Sequence, residues 1–251
     1  LSHELKTPLS ILKATIKSLW ELCESNSKAY KLIERAERNL DRLLSIQDSV
    51  EQIFSPRKPH PQKLQVENFT NEIVAKILHI AHHREIKLEI DCEKNGSIFF
   101  DPDIMEEILT ILIKNAFENT PDKGLIKIVL SESNSGNFAL TVHDYGVGIP
   151  FKDLEFIFEG FYHTQDTSEY STKKPFDFNA GGKGLELFQL KRLSEIYKFK
   201  IDLQSRRCVY IPEPTDHCPG QINLCPYINK LEDCLCSGYS IFTVNFTNIS
   251  L

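Results

Sequence analysis

The amino-acid sequence predicts an α+β protein, in which a helical hairpin that pairs with a second copy into a four-helix bundle precedes an α/β sandwich. Three observations lead to this fold class. Residues 1–54 carry two long stripes of apolar residues spaced by three and four positions. A segment with three prolines, residues 55–63, interrupts the pattern and is expected to be a linker. Residues 64–251 then alternate between helical and strand-like patterns.

The two stripes predict two antiparallel helices. The first stripe steps by four and three through Leu5, Leu9, Leu12, Ile16, Leu19 and Cys23. The second steps by three and four through Ile33, Ala36, Leu40, Leu43, Gln47, Val50 and Phe54. One hairpin of this length cannot cover its own apolar stripe, so we expect a homodimeric four-helix bundle. A monomeric hairpin packed against the rest of the chain is the alternative.

The second domain is predicted to contain a mixed sheet with helices on one face. The expected helices span 68–83, 101–119 and 184–197, with Asp101 as the N-cap of the second. The expected strands span 86–91, 97–100, 125–131, 137–143, 200–209 and 240–246. The long stretch 145–179 has few apolar residues, and connections of this length are often functional lids.

Bulk properties narrow the function classes. A net charge of −6 argues against a general nucleic-acid binder. No run of 18 apolar residues is present, and no signal peptide is visible. Because the chain begins at Leu1 without Met and within a helical pattern, we expect a missing upstream segment. We therefore expect a cytoplasmic location for this part, with any membrane attachment supplied by that segment.

The first chemical signal is the run from Ser2 to Leu9, Ser-His-Glu-Leu-Lys-Thr-Pro-Leu. If Leu5 and Leu9 face the bundle core, His3 lies off that face. A neutral imidazole is a good nucleophile near neutral pH, and Glu4 beside it can fix the tautomer. A lone histidine near a helix start is more often a solvated surface residue. This run, however, resembles the phosphoacceptor box of sensor histidine kinases.

Four further motifs resemble the nucleotide boxes of the same family, in the family's order. They are Asn115-Ala116 (N box), Asp144-Tyr145-Gly146-Val147-Gly148 (first glycine box), Phe156 to Tyr162 (F box) and Gly181-Gly182-Lys183-Gly184 (second glycine box). Each alone has an ordinary structural explanation, such as a loop or a surface asparagine. Their common order makes a chance match a poor explanation.

The resemblance implies a fold and a set of roles. The second domain is similar to the ATP-binding (GHKL, or Bergerat) fold shared by histidine kinases, gyrase and Hsp90-type ATPases, with an ATP lid over about 145–183. The implied phosphorylation residues are the phosphoacceptor, its acid/base partner and a water-positioning residue for phosphatase activity: His3, Glu4 and Thr7. The implied nucleotide-binding residues are Asn115 (through Mg²⁺), Asp144, Gly146, Gly148, Gly182, Lys183 and Gly184. The implied partners are a second copy and the receiver domain of a response regulator.

The chain departs from the family pattern at several positions. Ile111 stands where a second asparagine is common, and Glu118 and Asn119 replace a basic and an aromatic residue. Glu186 replaces a glycine of the second glycine box, and a carboxylate near phosphates is unfavourable unless it points away. The phosphate ligands are then open, with Lys114 and Lys183 as candidates.

A cysteine-rich insertion over 208–236 is the other departure. Its spacing, Cys-x9-Cys-x6-Cys-x8-Cys-x-Cys, is not that of a standard zinc finger. Four thiolates on one loop can still converge on zinc or an iron–sulfur cluster. The candidate ligands are Cys208, Cys218, Cys225 and Cys234, with Cys236 as a substitute. Free or packed cysteines are the equally weighted alternative.

Two other functions remain open on the sequence alone. One is a non-catalytic signalling or scaffold module, in which the nucleotide site is degraded and the cysteines sense a metal or redox state. The other is a plain ATPase of the gyrase type. The latter gives His3 no role, and Ile111 replaces the carboxylate that such enzymes need to activate water.

Overall fold

The computed structural model describes residues 2–22, 28–55, 58–93, 96–132, 137–162, 174–181, 184–213 and 216–246, with the side chains of the first helix described from Thr7 onwards. The chain falls into two compact units that meet between residues 57 and 58. The first is a helical hairpin. The second contains the strands and the remaining helices.

The hairpin consists of α1 (Ser2–Leu22) and α2 (Lys28–Phe54). Ile33, Leu40 and Gln47, spaced by seven residues, are buried on the face that α2 turns toward α1. Polar contacts fix the same pairing: the Trp20 indole donates to the Glu37 carboxylate at 2.9 Å. The predicted pair of helices is thereby confirmed, while its turn at 25–27 and Cys23 lie outside the described residues.

A second apolar surface of the hairpin stays exposed in the single chain. Leu12 is 52% exposed, Leu19 is 42% exposed and Leu43 is 52% exposed, although all three belong to the predicted stripes. Two helices packed side by side can each bury only one narrow face against the other. The hairpin alone therefore leaves part of its hydrophobic stripe in contact with water.

The second unit is built on a five-stranded mixed sheet. Its elements, in chain order, are β1 (Gln62–Gln65), α3 (Val66–Ile80), β2 (Lys87–Cys92), β3 (Ser97–Phe100), α4 (Pro102–Asn119), β4 (Leu125–Glu132), β5 (Phe138–Asp144), α5 (Glu186–Tyr197), β6 (Lys200–Arg206), α6 (Leu231–Leu235) and β7 (Tyr239–Phe246). The strand order is β2-β4-β5-β7-β6, and β1 pairs separately with β3. Strands β2 and β4 run parallel, and the other neighbours run antiparallel.

The core lies between one face of this sheet and helices α3, α4 and α5. Alternate residues of β4, such as Ile126, Ile128 and Leu130, have no exposed surface, and neither do Ile108 and Leu112 of α4. This period of two along the strand and of four along the helix is what a one-sided core requires. The α+β sandwich predicted from the sequence is confirmed.

Two details differ from the sequence prediction or add to it. The last residues of the predicted linker, Gln62 and Lys63, belong to β1 because they pair with Phe100 and Phe99. Asp101 caps α4 as predicted, accepting from the amide of Asp103 at 3.1 Å. Its second oxygen also accepts from the His60 amide at 2.8 Å, which anchors the linker to the second unit. No helix in the described residues is long and apolar enough to cross a membrane.

Candidate nucleotide-binding and phosphoacceptor site

Asp144 ends β5, and its carboxyl group is buried. It is 1% exposed, and one oxygen accepts from the Gly146 amide at 3.1 Å. Burial raises the pKa of Asp144 to about 7, against the opposing effect of hydrogen bonds from Gly146 and Ser240. Backbone and side-chain donors from Gly146 and Ser240 therefore hold this carboxyl group in place at the end of β5.

The loop after Asp144 needs glycine at two positions. A side chain at Gly146 would place its Cβ 2.2 Å from the carbonyl oxygen of Asn119. Gly148 has a φ of +64°, and a Cβ there would lie 1.9 Å from the carbonyl oxygen of Arg206. The amide of Val147 also donates to the Asn119 carbonyl at 3.0 Å. The first glycine box is thus clamped between the end of α4 and the end of β6.

Asn115 lies half-buried on the last turns of α4, on the helix that the loop contacts. Asn119 donates through its side-chain amide to the Asn115 side-chain oxygen at 3.1 Å and to the Asn115 carbonyl at 2.8 Å. This interaction fixes the orientation of the Asn115 amide and leaves its oxygen a second lone pair. Asn119, which departs from the family pattern, therefore has a positioning role.

Lys114 lies between the carboxylates of Glu118 and Glu186, two of the departures described in the sequence analysis. Its ammonium group is 3.3 Å from Glu118 and 3.1 Å from Glu186. Burial raises the pKa of Glu118 despite the nearby Lys114 charge. Burial acts in the same direction on Glu186, but Lys114 outweighs it and lowers the pKa of Glu186. Lys114 is thus engaged by two carboxylates, which weakens its case as a phosphate ligand.

The F box contacts the residue that follows the second half of the predicted lid. The amide of Phe161 donates to the carbonyl of Gly184 at 2.7 Å. The hydroxyl of Tyr162 donates to Asp153 at 2.7 Å, and its ring lies 5.7 Å from that of Phe156. These contacts join the F box to the start of α5. Residues 163–173 lie outside the described residues, as do Gly182 and Lys183 of the second glycine box.

Helix α5 begins directly after Gly184, and its N-cap residue, Leu185, makes no side-chain capping bond. Gly184 has a φ of +69°, so a glycine suits the turn into the helix. The first amides of a helix point outward and attract anions. The carboxylate of Glu186, the first residue of α5, accepts from the Leu185 amide at 3.3 Å, so a phosphate at this helix end would have to displace it.

Arg84 is a central residue of the site that sequence reasoning missed. Its side chain is only 4% exposed, and it pairs with Asp122 at 2.7 Å. It also donates to the carbonyls of Phe117 (3.0 Å), Thr120 (2.7 Å) and Phe176. The guanidinium thereby ties the end of α4 to the segment that precedes the second glycine box. Arginine adjacent to a turn carries no motif, so only the fold reveals this role.

The phosphoacceptor box lies on α1. His3 and Glu4 belong to the helical stretch Ser2–Leu22, and their side chains lie outside the described residues. The side chain of Thr7, one turn further on, is exposed. Pro8 lies inside the helix.

The four predicted cysteine ligands converge on one side of the second unit. Cys208, Cys218, Cys225 and Cys234 line the same small cavity, and all four are free thiols. Cys236 is exposed and does not line it. The described residues nevertheless contain no group of three or more His, Cys, Asp or Glu side chains already arranged to hold a metal ion. The predicted zinc or iron–sulfur site is thus not supported as a preformed site.

Comparison with known families assigns both units. Residues 1–55 match the family described as His Kinase A (phospho-acceptor) domain. Residues 100–215 match the family described as Histidine kinase-, DNA gyrase B-, and HSP90-like ATPase. The second unit therefore has the fold class of these ATPases, as its sheet and glycine loop suggested.

Individual relatives narrow the class. The chain is 28% identical over 210 residues to the sensor histidine kinase TmoS of Ectopseudomonas mendocina, covering 80% of this chain and 20% of TmoS. The solved structure of full-length ShkA in complex with AMPPNP has a TM-score of 0.65 at 18% identity, covering 98% of this chain and 44% of ShkA. The histidine kinase ThkA in complex with the response regulator TrrA has a TM-score of 0.60 at 17% identity, covering 99% of this chain and 60% of that one. The two domains and these relatives together support a histidine kinase core.

Proposed function

We propose that the chain is the catalytic core of a sensor histidine kinase, which transfers the γ-phosphoryl group of ATP to His3 and then to an aspartate of a response regulator. The observation that carries the proposal is the packing of the Asp144 loop, with Gly146 and Gly148, against the end of α4, the helix that bears the N box. The phosphoacceptor box lies on α1 of the same chain. In this proposal, residues 1–54 form the phosphotransfer hairpin, 55–63 the linker and 64–251 the ATP-binding domain.

The nucleotide is proposed to bind by its base at the first glycine box. The Asp144 carboxylate accepts a hydrogen bond from the adenine amino group, and the loop at Gly146 and Gly148 supplies a closely packed backbone wall. The phosphates then reach the N-terminus of α5, where Gly182, Lys183 and Gly184 are proposed to cradle them. The raised pKa of Asp144 supports this role, since the ionised group gains from a new donor.

Asn115 fits a magnesium ligand. Its side-chain oxygen is a hard, neutral donor, half-exposed and oriented by the Asn119 amide at 3.1 Å. Bound Mg²⁺ supplies neutralisation of charge on the phosphates.

The phosphorylation step is proposed to occur in line at His3. One imidazole nitrogen forms a bond to the γ-phosphorus while the bond to the bridging oxygen breaks and ADP leaves. Glu4 accepts the proton from the other side of the ring and holds its tautomer. Thr7, exposed one turn later on α1, is proposed to position a water that hydrolyses the aspartyl phosphate of the response regulator and releases inorganic phosphate.

Partners are proposed from the hairpin surface and from a neighbour. Leu12, Leu19 and Leu43 form an exposed apolar surface on the hairpin that a second copy could bury, which favours a homodimeric four-helix bundle. The ThkA structure contains a response regulator bound to a kinase of the same fold. A receiver domain is therefore the proposed acceptor of the phosphoryl group. The chain spans 20% of the length of TmoS.

Radiolabelled ATP tests the proposal. Incubation with Mg²⁺ and γ-labelled ATP is expected to label the wild-type chain, whereas α-labelled ATP is expected to leave it unlabelled. The His3→Gln variant is the matched control, because it keeps the nucleotide site intact. Label that persists in His3→Gln refutes the assigned acceptor. A wild-type chain that binds no ATP with Mg²⁺ refutes the kinase and favours the non-catalytic signalling module.

A further inference from the structure

The cysteine insertion brings together four thiols from distant parts of its sequence. Cys208 follows β6, Cys218 and Cys225 lie in the following loop, and Cys234 lies in α6. All four line one cavity of about 20 Å³, which has room for a single water-sized body. Cys236, only two residues from Cys234, is exposed outside it. Four of the five cysteines of the insertion therefore line the cavity, and closeness in sequence does not explain which four.

The insertion has few buried apolar residues of its own. Its buried apolar residues between positions 208 and 236 are Ile211 and Ile222, and its helical pieces have three and five residues. A segment of this size without a core is usually held by disulfides or by a metal ion. The four thiols are free rather than paired.

We propose that Cys208, Cys218, Cys225 and Cys234 bind one zinc ion, and that the occupied site braces the nucleotide loop. Four thiolates match the tetrahedral sulfur coordination that zinc favours in structural sites. Because the side chains are not yet arranged to hold a metal, binding requires the loop and α6 to draw the thiols inward.

Ser237 contacts two of the four cysteines. The Cys208 thiol donates to the Ser237 hydroxyl at 3.2 Å, and that hydroxyl donates to the Cys234 carbonyl at 2.7 Å. These contacts hold Cys208 near Cys234 in the metal-free chain, and zinc binding would replace the thiol proton. Arg207, whose side chain donates to the Ile211 carbonyl at 3.1 Å, adds a positive charge beside the cluster. That charge offsets the net negative charge of four thiolates around a divalent ion.

The same insertion contacts the proposed nucleotide site, and this part of the inference rests on the proposed function. The amide of Cys208 donates to the carbonyl of Val147, within the first glycine box, at 2.9 Å. Gly238 packs so closely that a Cβ there would lie 2.7 Å from the Gly146 carbonyl oxygen. The amide of Asp122, just after α4, donates to the Gly220 carbonyl at 2.8 Å. An insertion held by zinc would therefore hold the glycine loop against β6 and α4.

Metal analysis of the purified full chain tests the site itself. We expect close to one zinc per chain, and loss of it in Cys218→Ser and Cys225→Ser. The matched control is Cys236→Ser, which alters an exposed cysteine of the same insertion and is expected to retain the zinc. Substitution of Co²⁺ in the wild-type chain is expected to give the strong absorption of cobalt–thiolate bonds, a readout that needs no variant to fold. Absence of bound metal, iron with sulfide in its place, or equal zinc in all variants overturns the proposal.

Nucleotide affinity before and after zinc removal tests the coupling. We expect removal of zinc, followed by removal of the chelator and return of Mg²⁺, to weaken ATP binding several-fold in the wild-type chain and the Cys236→Ser variant alike. Equal affinity with and without zinc overturns the bracing role while the zinc count stands. A zinc-loaded chain that binds no ATP contradicts the proposed nucleotide site instead, so the two failures are distinguishable.

Discussion

Replacing Asp144 with asparagine is expected to stabilise the fold while weakening ATP binding. In the folded chain the pKa of Asp144 is raised by burial from 3.8 to about 7. Between pH 3.8 and about pH 7, Asp144 therefore keeps its proton in the folded chain, whereas the unfolded chain has released it. The free energy of unfolding of the wild-type chain accordingly falls as the pH rises from the unfolded pKa to the folded pKa, and this contribution is constant above it.

The size of the effect follows from the shift. About three pH units at about 1.4 kcal/mol each give a cost of about 4 kcal/mol for ionising the buried group. Asparagine keeps an acceptor for the Gly146 amide and cannot ionise. The free energy of unfolding of Asp144→Asn is therefore expected to rise relative to that of the wild type. This difference should grow by about 2 kcal/mol as the pH is raised from about 5.5 to about 8. The ATP affinity of Asp144→Asn is expected to fall about tenfold or more, because a charged acceptor is lost.

Urea unfolding at the two pH values, with and without ATP, measures both effects. Asp91→Asn, at an exposed position of β2, is the matched control and is expected to follow the wild type. For the wild type, ATP binding is expected to strengthen as the pH rises through about 7. Parallel stability curves for Asp144→Asn and the wild type would refute the buried-carboxylate reasoning. Unchanged ATP affinity would refute the adenine contact.

Three further substitutions test the frame of the nucleotide site. Arg84→Lys keeps the charge but loses the hydrogen bonds of the guanidinium group, so it is expected to lower the free energy of unfolding in urea by about 3 kcal/mol. The control, Arg38→Lys, alters an exposed ion pair on the hairpin and is expected to lower it by less than about 0.5 kcal/mol. Gly148→Ala is expected to cost about 2 kcal/mol or more and to weaken ATP binding, whereas Gly160→Ala, whose Cβ would meet nothing nearer than 3.8 Å, is expected to be nearly neutral. Glu186→Gln is expected to tighten ATP binding a few-fold in calorimetry and to leave adenosine binding unchanged, since only the phosphates sense the lost charge; equal effects on both ligands would contradict the placement of the phosphates.

Local signals were sufficient for most of the fold. The stripes of α1 and α2, the cap at Asp101 and the alternation of β4 and β5 each depend on residues close in sequence, so periodicity and turn chemistry predicted them. The linker end was harder to predict. Gln62 and Lys63 look polar and proline-flanked, and they form a strand only because β3 offers a partner thirty-odd residues later.

The sequence predicted the motif residues of the site but not the residues that hold those motifs in place. Asp144 and its glycines carry a local pattern, so their positions were evident from the sequence. Arg84 gave no signal, because its partners are carbonyl groups whose positions depend on the tertiary fold. The departures at Glu118 and Glu186 became interpretable only when Lys114 was found between them. The Lys114–Glu118 pair has the i, i+4 spacing that a helix predicts, whereas the contact between Lys114 and Glu186 joins residues 72 positions apart and depends on the fold.

Locating the phosphoryl group on the intact chain tests the central claim most directly. After incubation with ATP and Mg²⁺, peptide mass spectrometry at neutral to alkaline pH is predicted to find one acid-labile phosphoryl group, on the imidazole of His3. At an ATP concentration below the wild-type Kd, the same modification is predicted to form about tenfold more slowly in Asp144→Asn, which retains His3 and loses the adenine contact. A phosphoryl group found on another residue, or equally fast modification of His3 in both proteins, would contradict the account.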